Sequence, residues 1–326
     1  MNDKYSHLYA HADRLVDECC PRNCSEKWLA LCTGKARFRW DVQALQKGLI
    51  DSLWEYLDQI PFQRAVLSMR LLQAYGVDVD TVKHAIAGLE LIFAASVISS
   101  GFRNTKTTPS AGNPGHSYPV PVLATVAYTA RQAAIYFVEL DRPSMPRAAN
   151  TWLLYRFGNA VSKQAMGAAV ESHWSSHNDG NRRTREEYLD ILSLMVKPLS
   201  FELCVDVAFA AMNKIDSETH QLARNAAGHL GLSVRVLDHL HQLLKISDNE
   251  MQWDRVVAVN PLLSENHDDL NKMEKLYHIA KEQFSSFNDL SLKCQREIAF
   301  PLVEFAEVLV GQKFNVIREI MHEKRI

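Results

Sequence analysis

Hydrophobic residues recur at three- and four-residue steps along almost the whole chain, the signature of helices that bury one face. The pattern runs through Val42–Leu57, Ala65–Tyr75, Val82–Phe102, Val120–Leu140, Trp152–Trp174, Glu186–Met212, Thr219–Leu244 and Leu270–Phe284. It resumes at Leu290 and continues toward the C-terminus. No stretch alternates apolar and polar residues between hairpin turns, so no strands are expected. Breakers separate the helical stretches: Thr105–Pro121 is rich in Pro, Gly, Ser and Thr, Asp141–Pro146 carries two prolines, and Ser175–Arg185 is polar. Shorter connectors lie at Asn213–Ser217, Ser247–Glu250 and Asn260–Asp269. Ser217 suits the N-cap of the helix that follows, with Glu218 in its first turn. Ten or so helices, several of them apolar over most of their surface, predict an all-α bundle built round a central helix and able to hold an internal cavity.

Composition narrows the picture. A chain of 326 residues with 47% hydrophobic content can bury a large core. Residues 1–35, richer in Cys, His and charge, read as an N-terminal helical extension to a single domain over 36–326. A net charge of −2 gives no overall attraction to nucleic acid. The longest apolar run, Ala85–Gly101, is interrupted by Glu90 and falls short of the ~18 residues that span a bilayer. Met1–Arg14 is polar, not a secretory leader, and the expected location is the cytoplasm. The six cysteines are then expected as reduced thiols. Cys19, Cys20, Cys24 and Cys32 cluster downstream of His7 and His11, donors that suit zinc, but the spacing lacks the paired C-x-x-C arrangement and no metal is assigned.

Seven fragments carry a more specific message through their order. Trp54–Leu57 leads into Gln59–Ala65, where Arg64 stands alone among apolar and neutral residues and Pro61 sits three positions before it. Glu90-Leu91-Ile92-Phe93 begins a run that reaches Ser100, Gly101 and Asn104, and Gly112 and Pro114 follow. Gly167 and Glu171, then Glu187-Tyr188-Leu189 with Met195-Val196, precede Val234-Arg235 and Asp238, His239 and Gln242. In order and spacing these resemble the landmarks of the trans-prenyl diphosphate synthases (the polyprenyl synthetase family). Those landmarks are a GGKxxRP turn, an ELIH segment ending in a DDxxD box, an RRGxP turn, GQxxD, an EEYL helix start with a Lys-Thr pair, and a second aspartate box.

The resemblance implies the isoprenoid synthase fold. It also implies what has changed. Ser100, Gly101 and Asn104 stand at the three aspartates of the first box, and Asp238, His239 and Gln242 at those of the second. In the family these carboxylates hold Mg²⁺ ions, which grip the substrate diphosphate while the allylic cation forms. Neutral oxygens at Ser100 and Asn104 do not match the ion's charge, so Mg²⁺ is not expected at the usual site. If metal stabilisation supplies about 4 kcal/mol, its loss costs roughly a thousandfold in rate. The resemblance therefore implies a non-catalytic or regulatory subunit of isoprenoid biosynthesis, in a homo- or hetero-oligomer, with an active prenyl diphosphate synthase as the candidate partner. The alternative is a divergent prenyltransferase or terpene-synthase-like enzyme that holds a prenyl diphosphate through Arg64, Arg103 and Arg235 without metal, since guanidinium forks match phosphate geometry. In the blander reading, Arg103 or Arg235 pairs with Asp238 or Glu171. Phe93, Val97 and Ile98 are candidates for the cavity wall.

Overall fold

The structure, a computed structural model, describes residues 5–23, 46–103, 118–176, 184–246 and 269–323. Among these residues the regular structure is helical throughout, with no strand. The contacts divide the chain into two compact units: Met1–Val161 with Asp206–Ile215, and Ser162–Val205 with Asp216–Ile326.

The first unit is organised by α4 (Lys83–Arg103). Ala85, Ile86, Ala87, Leu89, Leu91 and Ile92 are all buried, so this helix has no wet face over its first half. Residues 79–100 are long and apolar enough to cross a membrane by length and composition, yet 67% of the apolar window is buried inside the protein, as in a core helix. Its N-terminus is closed by Asp141, a buried carboxylate that accepts from the Ala85 N–H at 2.7 Å and the His84 N–H at 3.3 Å and meets His84 Nδ1 at 2.6 Å. An anion placed there satisfies orphan amides and the positive end of the helix dipole.

Along its length α4 packs against α5 (Val120–Leu140). Gly88 permits the approach, because a Cβ there would stand 3.0 Å from the Ala134 carbonyl oxygen. Helix α5 starts after Pro119, with Pro121 in its first turn, where a missing N–H costs nothing. Helix α3 (Gln63–Ala74) ends on Gly76, whose φ of 64° is the left-handed turn glycine tolerates. A π-helical turn, Gln46–Asp51, leads into α2 (Ser52–Leu57). Helix α1 (Ser6–Cys19) buries Leu8, Ala12, Leu15 and Val16 and packs on α3 and α4, so the N-terminal segment belongs to this unit's core.

The boundaries between units fall inside α6 (Arg147–Ser176), inside α8 (Leu203–Ala211) and between Ile215 and Asp216. The second unit is organised by α9 (Glu218–Ile246), which packs on α10 (Asp269–Ser291), α11 (Arg296–Glu323) and α7 (Arg185–Lys197). Ser217 caps α9 as the sequence suggests, accepting from the His220 N–H at 3.1 Å. Thr184 and Glu187 form a reciprocal capping box at the start of α7.

Two of the differences from the sequence reading have a local cause. The stretch read as one helix over 186–212 is interrupted by a π-helical turn, Pro198–Glu202, because Pro198 has no N–H to continue the ladder. Helix α10 runs seven residues past Phe284, since Phe287 is fully buried and carries the helix to Ser291.

Candidate functional site

The Arg64 and Glu90 landmarks meet in the first unit. Arg64 lies in the first turn of α3, a helix that starts straight after Phe62, whose φ of 30° turns the chain into it. Its guanidinium carbon stands 3.1 Å from the centroid of the Phe93 ring, and its Nη1 is 3.5 Å from Glu90 Oε2. Glu90 is completely buried, and its other oxygen accepts the Ala65 N–H at 2.8 Å. Burial pushes the Glu90 carboxyl above its ordinary range, opposed first by the Arg64 charge and then by the backbone amides. Arg64 itself is 4% exposed. A pair this dry, at 3.5 Å, ties the start of α3 to the middle of α4 at a desolvation cost.

Where the first aspartate box would stand, the last turns of α4 carry short hydroxyls. Ser100 donates to the Ser96 carbonyl at 3.0 Å, and Ser99 accepts from Arg131 Nη2 of α5 at 2.8 Å. Gly101 and Arg103 lie in the final turn of α4. Asn104, like Gly112, Pro114, Cys24 and Cys32, lies outside the described residues. Ile98 is buried, whereas Val97 is 38% exposed.

Asp238, His239 and Gln242, the residues that the resemblance sets at the second box, lie in the second unit, in the C-terminal half of α9. Asp238 forms an ion pair with Lys313 of α11. That lysine is the residue sequence reasoning missed. It lies 75 positions away on a separate helix, whereas the sequence offers Arg103 or Arg235 as the partner of Asp238 or Glu171. His239 Nδ1 meets the Tyr188 hydroxyl of α7 at 3.0 Å. Burial, and then the Arg235 charge, lowers His239 well below the usual imidazole range and keeps the ring neutral. Tyr188 is 3% exposed, and burial raises its hydroxyl far above the ordinary phenol range; Arg235 opposes this and Glu171 adds to it. Arg235, Glu171, Tyr188 and His239 therefore act on one another electrostatically, on α9, α6 and α7. Gln242 falls on the same helix, one turn beyond Asp238.

This donor set does not fit Mg²⁺. The ion takes hard, charged oxygens in octahedral array. At the described box positions the one carboxylate, Asp238, already carries an ammonium, and the hydroxyl of Ser100 is neutral. No group of three or more His, Cys, Asp or Glu is placed to hold a metal ion among the described residues. That statement covers Cys19 and Cys20, both buried, with Cys19 pushed up to about 12 chiefly by burial and so unreactive as a thiolate.

No protein-family model matches the chain, and no curated protein does. Solved structures match over nearly its whole length. Geranylgeranyl pyrophosphate synthetase from Pyrococcus horikoshii superposes with a TM-score of 0.68 at 16% identity, covering 94% of this chain and 99% of that one. The geranylgeranyl pyrophosphate synthetase of the archaeon Geoglobus acetivorans gives 0.67 at 13%, covering 95% and 99%. A decaprenyl diphosphate synthase from Rhodobacter capsulatus gives 0.65 at 12%, covering 95% and 98%.

Proposed function

From the all-α fold of the trans-prenyl diphosphate synthases, which this chain has, we propose that it works in isoprenoid biosynthesis as a non-catalytic, regulatory subunit in the cytoplasm. Its partner in this reading is an active prenyl diphosphate synthase that keeps its aspartate boxes. The observation that carries the reading is the ion pair between Asp238 and Lys313. In a site built to hold divalent ions on carboxylates, an internal ammonium on the one remaining acid competes with the metal and removes the charge that would attract it. Arg64 supports the same reading, since its guanidinium is stacked on Phe93 and shared with Glu90. The fold alone is a weak warrant for activity, so the proposal rests on the site residues.

The test is purification from the native source under mild conditions. A second protein of the same fold, with both aspartate boxes, is expected to co-elute, and adding this chain to that enzyme is expected to change its rate or product length. A preparation that contains no prenyl synthase, together with no effect on any added one, would overturn the proposal.

A further inference from the structure

Several histidines of this chain use a ring nitrogen inside the protein. His84 Nδ1 meets Asp141 at 2.6 Å, His229 Nδ1 meets Gln283 at 2.8 Å and His239 Nδ1 meets Tyr188 at 3.0 Å. His7 and His11, both on α1, have no hydrogen bond or ion pair among the described residues. His7 is exposed and His11 half-buried, whereas Leu8, Ala12 and Leu15 of the same helix are buried. Two rings with open nitrogens therefore stand one turn apart, outside the face that α1 buries.

We propose that His7 and His11 form a chelating site for a late first-row divalent ion of the Ni²⁺, Cu²⁺ and Zn²⁺ class. Residues four apart on a helix share a face, with Cβ atoms ~5–6 Å apart. Two neighbouring nitrogens at about 2.1 Å from one ion stand ~3 Å from each other, and rotation about the side-chain bonds of each ring covers the difference. The same spacing supplies two of the ligands in helical H-E-x-x-H zinc sites. Imidazole selects these ions, whereas Mg²⁺ and Ca²⁺ take oxygen. The surroundings leave room for the remaining ligands. His11 lines a cleft of about 360 Å³ with the charged side chains of Arg14, Glu18, Asp80 and Lys83. Those two cations and two carboxylates sum to zero, so an incoming ion meets no net repulsion there. The first-turn position of His7 opposes a cation through the helix dipole, an effect that exposure and salt make small. No group of three His, Cys, Asp or Glu is placed to hold an ion among the described residues. The site is therefore a two-nitrogen chelate completed by water, exchangeable and open, not a closed structural centre. It does not involve Asp238 or Lys313 and stands or falls apart from the catalytic reading.

Titration of the untagged, full-length chain with Cu²⁺–nitrilotriacetate tests it. That complex keeps two adjacent coordination positions open and so favours paired imidazoles over single ones. His173 and His177 share the four-residue spacing, and His177 lies outside the described residues, so the titration is made on a His173→Ala protein. One equivalent is expected to bind at micromolar concentration, and its electron paramagnetic resonance spectrum should show coupling to two imidazole nitrogens. His7→Ala or His11→Ala returns the chelate to a single imidazole and is expected to weaken binding by about 100-fold or more. His278→Ala and His322→Ala, at exposed positions with no histidine four residues away, should bind as the parent does. His7→Ala should also melt with the parent, because the position is exposed, so that lost binding does not report unfolding. The absence of saturable binding, a spectrum with one nitrogen, or binding that survives both His7→Ala and His11→Ala would overturn the proposal.

Discussion

Arg64→Ala separates a structural arginine from a ligand-binding one. The residue is 4% exposed, and Glu90 beside it is fully buried. Its removal leaves the Glu90 carboxyl with the backbone N–H groups of residues 64 and 65 but no opposite charge, and takes away the guanidinium carbon that stands 3.1 Å from the Phe93 ring centroid. Breaking a buried pair from one side costs about 3–5 kcal/mol, most of it the penalty of an uncompensated charge. For a unit of this size, each kcal/mol moves the melting temperature by roughly 2–4 °C, so a drop of about 6–20 °C is expected in scanning calorimetry. Arg64→Met combined with Glu90→Leu removes both charges and should recover most of the loss. The pH dependence has a definite sign. Glu90 has a raised folded-state pKa, so its favourable contribution is full below the ordinary carboxylate range and is lost as pH rises through the folded value. Without Arg64 that pKa rises further, and the gap between variant and parent should narrow as pH falls from about 8 to 5. An Arg64→Ala protein that melts within about 2 °C of the parent, with the double variant no better, would refute this account of the pair.

Four further perturbations follow from the second unit. Tyr188→Phe leaves His239 Nδ1 without its 3.0 Å partner and should cost about 1–3 kcal/mol in chemical denaturation, more than a surface Tyr→Phe change. His239 has a depressed folded-state pKa, so its contribution is present above the ordinary imidazole range and is lost as pH falls below it. The slope approaches about 1.4 kcal/mol per pH unit, and His239→Gln should flatten that part of the stability profile. Gly231→Ala would put a Cβ 2.7 Å from Ser200 Cβ and should destabilise by about 1–3 kcal/mol, whereas Gly311→Ala, with nothing within 4 Å, should stabilise by about 0.5–1 kcal/mol.

The sequence carried the helices and left parts of their ends and the pairings open. Periodicity placed α4, α5 and α9 because their burial patterns repeat with the helix itself. It ran through Pro198, since apolar residues continue on both sides of the π-helical turn and keep the pattern intact. Arg64, Glu90, Phe93 and Asp238 were singled out from the sequence by their places in a collinear set of motifs. Which of them meet was not legible. Arg64 and Glu90 lie 26 positions apart and Asp238 and Lys313 lie 75 apart, and no local period connects either pair. A lysine on an amphipathic C-terminal helix looks like any solvated charge until α11 is packed against α9.

The most direct test of the central claim is turnover by the purified chain alone, with C10, C15 and C20 allylic diphosphates, isopentenyl diphosphate present or absent, and Mg²⁺ or EDTA. Diphosphate release is the readout, with an active synthase as the positive control. The account predicts no release above background in any combination, matching the single carboxylate at the described box positions and its pairing with Lys313. Release that requires Mg²⁺ and is lost in Asp238→Asn would contradict it, because that carboxylate would then be holding a metal.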